Sequence, residues 1–270
     1  VKPVVDLAWV QEHPDRVVLA DVRWYLDGRS GWEAFLRGHL PGAVFVDLDE
    51  WLAAPASPAE GRHPLPDPAV FAEGLGKAGI KDENIIIAYD DSGGVVAARL
   101  VWMLRATGRE AALLDGGLRT YRGKIETGPP TRTPEVFSVR PWPNDRLASP
   151  DEVAGRGSAV VLDARDAARY RGDTEPVDPR AGHIPGARNL PCRDNLDESG
   201  RFLPVAELRE RFAGVGVRAG SDVISYCGSG VTACHNLLAL EHAGLGTGRL
   251  YPGSWSQWSA ADRPAATGEG

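Results

Sequence analysis

An α/β fold built twice in tandem is what this sequence predicts, and three observations carry that expectation. Short β-branched runs alternate with helix-length patterns, whole blocks of the first half recur in the second, and a proline-rich stretch without periodicity separates the halves.

In chain order, residues 16–22 (RVVLADV) and 84–89 (NIIIAY) read as short buried strands, and residues 94–108 (GVVAARLVWMLRATG) as the helix after the second of them. The same succession returns as 159–164 (AVVLDA), 222–226 (DVISY) and 230–244 (GVTACHNLLALEHAG). Strands alternating with helices indicate a mainly parallel sheet flanked by helices in each half. Residues 122–146 (RGKIETGPPTRTPEVFSVRPWPNDR) have the composition of an extended linker. The expected bounds are a first domain over 1–125, a linker over 126–145 and a second domain over 146–270.

A chain of 270 residues is more than one core usually spans, so each half has room for its own. Hydrophobic content of 43% and charged content of 25% describe a globular chain. No run approaches the ~18 apolar residues of a membrane span, so no membrane partner is expected. The first residues lack the pattern of a secretory signal. A formal net charge of −7 argues against a nucleic-acid partner, which needs surplus Lys and Arg. Three cysteines, an odd number, fit a reducing compartment better than a disulfide framework, and the expected location is cytoplasmic.

The duplication supplies an internal control: what both halves share is scaffold, and what one half holds alone is chemistry. Gly38-His39-Leu40-Pro41-Gly42-Ala43 recurs as Gly182-His183-Ile184-Pro185-Gly186-Ala187, and Asp21-x-Arg23 as Asp163-x-Arg165, so these are expected to be structural. The stretch SYCGSGVTACHN meets AYDDSGGVVAAR without a gap, which sets Cys227 opposite Asp90. Only the second half can then run thiol chemistry. Gly228, Ser229 and Gly230 have little side chain, so their N–H groups can turn inward around the sulfur. The segment from Val231 onward reads as a helix whose N-terminus favours a thiolate.

These residues resemble the two-domain rhodanese family, sulfurtransferases with an inactive first domain and a catalytic cysteine in the second. FLRGHLPGAVFV is similar to the first family motif, CGSGVTA to the active-site loop and RLYPGSWSQW to the C-terminal motif, which usually carries Glu where this chain has Gln257. The resemblance implies tandem rhodanese-like domains and a double displacement. Cys227 takes the outer sulfur of a small-molecule donor as a persulfide and passes it to cyanide or a thiol, including a thioredoxin-like acceptor. The N–H groups of Gly228, Ser229, Gly230, Val231, Thr232 and Ala233 would cradle the persulfide. Neither a metal nor another cofactor is implied.

The loop Cys-Gly-Ser-Gly resembles the 3-mercaptopyruvate branch; the thiosulfate-preferring branch places cations in its loop, and this loop has none. That branch implies a proton relay of Ser229, His63 and Asp49 for the enolate that leaves, and Arg169 and Arg180 as the arginines that hold the donor's carboxylate. The spacing between those two arginines is longer than in the branch. A thiosulfate-specific enzyme and a non-enzymatic persulfide carrier or regulatory module are the alternatives. A Cys-based phosphatase is disfavoured because its loop ends in Arg, where this chain has Ala233. Adjacent Cys234 and His235 would face different sides of one helix, a poor metal pair, and nothing in the spacing makes Cys192 a redox partner.

Overall fold

The computed structural model describes residues 1–269 and resolves two compact units. The first comprises Val1–Ala54, Leu65–Trp142 and Leu196–Phe202; the second comprises Pro55–Pro64, Pro143–Asn195 and Leu203–Gly270. Two short segments, Pro55–Pro64 and Leu196–Phe202, group by their contacts with the unit opposite their place in sequence.

In the first unit β1 (Val4–Val5), β2 (Val17–Asp21), β3 (Val44–Phe45), β4 (Ile85–Tyr89) and β5 (Ala111–Leu114) form a sheet in the order β1-β5-β4-β2-β3. Every pairing is parallel. All five residues of β4 are buried, as a central strand covered on both faces requires. The helix Ala98–Ala106 follows β4 and buries seven residues, from Ala98 to Leu104. The core of this unit gathers Phe35, Leu40, Ile85, Ile87 and Tyr89.

The expected linker is extended, but much of it is bound to this unit. Glu126 exchanges backbone hydrogen bonds with His39 at 2.9 and 3.0 Å, and Glu135 N donates to Gly76 O at 2.9 Å. Phe137 is buried in a T-shaped pair with Phe71, and the Arg109 guanidinium lies over its ring.

The second unit repeats the plan with β6 (Val160–Asp163), β7 (Arg188–Asn189), β8 (Val223–Tyr226) and β9 (Arg249–Leu250), ordered β7-β6-β8-β9 and all parallel. Its core joins Tyr170, Ile224, Tyr226, Tyr251, Trp255 and Trp258. A capping box at Ser149 and Glu152 opens the helix Pro150–Ala154. Among the described residues no helix is long and apolar enough to cross a membrane.

The shared motifs act as scaffold in both units. Arg23 pairs with Asp21 and donates to Gly38 O at 2.7 Å; Arg165 pairs with Asp163 and donates to Gly182 O at 2.7 Å. His39 Nδ1 meets Phe35 O at 2.8 Å and His183 Nδ1 meets Tyr170 O at 2.7 Å, each ring stacked on that aromatic side chain. Both histidines brace the turn that follows through Nδ1 and the ring stack.

Candidate active site

Cys227 stands at the carboxyl end of β8, an interior strand of its sheet, where parallel sheets present their ligands. Its side chain is buried, and Sγ accepts the Gly230 N–H at 3.1 Å. Gly230 has φ +79°, and a Cβ there would lie 2.5 Å from Pro252 O, so only glycine lets the chain turn this N–H inward. The helix begins at Ala233 rather than at Val231; Val231 O and Thr232 O accept from Cys234 N and His235 N in the turn that precedes it.

The C-terminal motif grips this loop. Ser254 Oγ accepts Cys227 N at 3.1 Å and donates to Tyr251 O at 2.9 Å. Trp255 N donates to Cys227 O and Ser256 N to Gly228 O, at 2.9 and 2.8 Å. Gln257 accepts from Tyr251 Oη and donates through Nε2 to Ala59 O at 2.6 Å, a bond the family's usual carboxylate could not make.

That bond helps to place Pro55–Pro64, the segment that carries His63. His63 Nδ1 and Ser229 Oγ are 2.8 Å apart and both side chains are buried. Asp49 lies on the helix Leu48–Trp51 of the first unit, where its carboxylate accepts Trp24 Nε1 at 2.8 Å.

Two guanidinium groups approach the loop. A methyl group on Gly228 would meet Arg62 Nη2 at 2.9 Å and both Nη atoms of Arg169 at 3.7 Å. Arg62 pairs with Asp178, and Arg169 pairs with Glu175 at 2.7 Å and Asp178 at 3.0 Å. Burial acts to raise the Glu175 carboxyl, but the hydrogen bond from Arg169 and the N–H groups of Asp178 and Val177 hold it below its ordinary value. Sequence reasoning missed Arg62. Its one signal was its place beside His63 in GRHPLP.

Arg180 lies at a helix end. Its guanidinium donates to the carbonyls of Trp258, Ser259, Ala261 and Arg263 at 2.8–3.0 Å, closing the end of the helix Ser254–Ala260. Those four carbonyls take up its N–H groups in this structure. The loop itself carries no cation, and Arg169, expected from outside it, is joined there by Arg62.

The twin loop in the first unit shows what the turn receives. Asp90 Oδ1 accepts from Ser92 N and Gly94 N at 2.8 and 2.7 Å, and Oδ2 from Val96 N and Ala97 N at 2.9 and 3.0 Å. One negative group fills that nest of N–H donors. Burial pushes the Cys192 thiol up to about 12, the charge of Cys227 adding to the rise, so Cys192 stays a thiol near neutrality. Cys234 Sγ donates to Gly230 O at 3.4 Å, inside the helix packing.

The family model described as "Rhodanese-like domain" matches residues 6–124 and 149–261. A Pseudomonas aeruginosa protein, "Probable 3-mercaptopyruvate sulfurtransferase", is 42% identical over 267 residues, covering 95% of this chain and 94% of the relative. "Putative thiosulfate sulfurtransferase SseB" of Mycobacterium tuberculosis is 41% identical over 273 residues, covering 97% of this chain and 95% of the relative. The crystal structure of SseA from Escherichia coli, named among 3-mercaptopyruvate sulfotransferases, superposes with a TM-score of 0.81 at 32% identity, over 94% of this chain and 99% of that one.

Proposed function

Because this chain belongs to the rhodanese family, with one such domain in each half, and is an enzyme of the sulfurtransferase class, we propose that Cys227 carries sulfur from 3-mercaptopyruvate or thiosulfate to a thiophilic acceptor as a persulfide. The Cys227 thiolate attacks the outer sulfur of the donor and a new S–S bond forms. With thiosulfate the old S–S bond breaks and sulfite leaves with the electron pair. With 3-mercaptopyruvate the C–S bond breaks and pyruvate enolate leaves; the proton it gains balances the one lost from the donor's thiol. Cyanide or a thiol, including that of a thioredoxin-like protein, then takes the outer sulfur and restores the thiolate. Three free cysteines suit a reducing location such as the cytoplasm.

The observation that carries this reading is the pair of twin loops. From Cα, the outer sulfur of a cysteine persulfide is as many bonds away as a carboxylate oxygen of aspartate. Asp90 therefore stands in its own loop much as a persulfide would stand on Cys227, with its charge on N–H donors of the turn. The bond between His63 and Ser229 supports a path for the enolate's proton. Asp49, which the resemblance adds as the third member, is tested with it by Asp49→Asn.

Incubation with either donor should add the mass of one sulfur to Cys227, and cyanide should remove it. Cys227→Ser should abolish both events in a folded protein; sulfur transfer that survives in that variant sinks the mechanism. Side-by-side kcat/KM for the two donors decides between them, and Ser229→Ala should slow mercaptopyruvate more than thiosulfate. A loaded Cys227 that does not turn over would support the carrier reading instead.

A further inference from the structure

The nucleophile's loop contains no cation, yet the Arg62 and Arg169 guanidiniums converge on Gly228, the residue after Cys227. Their counter-ions lie deeper than they do. The Asp178 and Glu175 side chains are 1% and 4% exposed, whereas those of Arg62 and Arg169 are 26% and 17% exposed. An anion arriving from solvent meets the guanidiniums first. Arg62 spends Nη1 on Asp178, directs Nη2 toward Gly228, and keeps a buried Nε with no partner among the described residues. Arg62 therefore has donors to spare, at a place one residue from the nucleophile.

We infer that Arg62 determines which donors are accepted. With Arg169 it forms a two-guanidinium clamp beside Cys227, Asp178 is the resting counter-ion of that clamp, and the donor's carboxylate or sulfonate group takes Asp178's share of it. The inference rests on Cys227 being the nucleophile. Arg62, Arg165 and Arg169 face Asp163, Glu175 and Asp178, so the cluster at rest is balanced in charge. An added anion unbalances it, and Asp178 is the member suited to yield. Burial outweighs Arg62 and keeps its carboxyl above the ordinary value, with Glu175 adding to the rise against Arg169. Both small donors present an anionic group close to the sulfur they give up, which matches a clamp this near the nucleophile.

The test compares alkylation of Cys227 by iodoacetate, an anion, with that by iodoacetamide, its neutral analogue. The thiolate displaces iodide in both cases, and no sulfur transfer is required. Arg62→Met should lower the ratio of the iodoacetate rate to the iodoacetamide rate by about tenfold, the worth of one charge-assisted hydrogen bond. Arg62→Lys, which leaves Asp178 a counter-ion should the first variant fold poorly, should lower it by a smaller factor. Asp178→Asn should raise it. For both natural donors, Arg62→Met should raise KM more than it lowers kcat. Ratios unchanged across wild type and all three variants overturn the clamp. Failure of both reagents to modify Cys227 in the wild type overturns the assignment of the nucleophile itself.

Discussion

At Ser254 the backbone takes φ +52°, and among the described residues no other non-glycine has positive φ. A non-glycine in this region costs on the order of 1–3 kcal/mol and persists only where its surroundings insist on it. Here the insistence comes from Oγ, which accepts Cys227 N and fixes the start of the loop. Ser254→Ala keeps the strained torsion and strands a buried N–H, so it should destabilise the protein by about 1–3 kcal/mol. Ser254→Gly strands the same N–H but relieves the torsion and should cost less. Urea unfolding of both variants reads the difference, and kcat/KM should fall in each as the nucleophile loses its anchor. Equal or reversed losses of stability would mean that the torsion stores no strain. A signal for this residue was already in the sequence: where the repeats align, LLDGGLRTY has Gly117 and LYPGSWSQW has Ser254, and both take nearly the same φ. A glycine facing a serine across a duplication marks a left-handed position that one copy has put to use. Arg62 left no such mark, because its role depends on Asp178, far along the chain.

A strand, a turn rich in N–H donors and a helix make up the element that the two halves share, and its sequence was legible almost completely. The turn fell between the β-branched run and the helical pattern in both halves, and the aligned Cys227 and Asp90 told the two apart. What periodicity could not show was where segments from elsewhere would land on the element. The carbonyls that Arg180 meets at the helix end and the arrival of Arg62 beside Arg169 at Gly228 were therefore not legible. Cys227→Asp tests the element as an anion receptor. It should transfer no sulfur, yet melt above Cys227→Ser by at least about 2 °C, because its carboxylate would collect the N–H groups that Asp90 collects in the twin. A lower melting temperature than Cys227→Ser in calorimetry would show that the second turn does not receive charge as the first does. The turn from Glu175 to Asp178 adds a dependence on pH. Glu175 is held below its ordinary value, so its contribution is present above the unfolded value of about 4.3 and is lost as pH falls through the lower folded value. Glu175→Gln should lower stability at neutral pH and flatten the acid limb below about pH 4. Urea midpoints taken at both ends of that range would show it, and parallel curves would remove Glu175 from the acid response.

Across the whole molecule, two copies of one fold hold the same turn, and the difference between them lies in what each turn is given. The second unit takes in Pro55–Pro64, which brings Arg62 and His63; the first takes in Leu196–Phe202, which has no histidine and sets Leu196 close to Gly93 of the Asp90 loop. The place that Arg169 holds in the second unit falls in the first to Asp27, an exposed carboxylate paired with Arg29. Ser229 has a counterpart in Ser92, so a serine near the turn does not make a sulfurtransferase site. It follows that a cysteine alone should not awaken the first unit. Asp90→Cys combined with Cys227→Ser rebuilds Cys-x-Ser-Gly there, yet Asp27 holds the place of Arg169, and where Arg62 and His63 follow Gly61 the first unit has Arg201, paired with Asp115, and Phe202 after Gly200. The double variant should show no transfer from thiosulfate or 3-mercaptopyruvate. It should also melt below Cys227→Ser alone, because four N–H groups lose a carboxylate acceptor and gain a thiol that accepts poorly. Turnover of either donor by that protein would show that the turn and its thiol suffice, and that the arginines and His63 refine a reaction they are not needed to start.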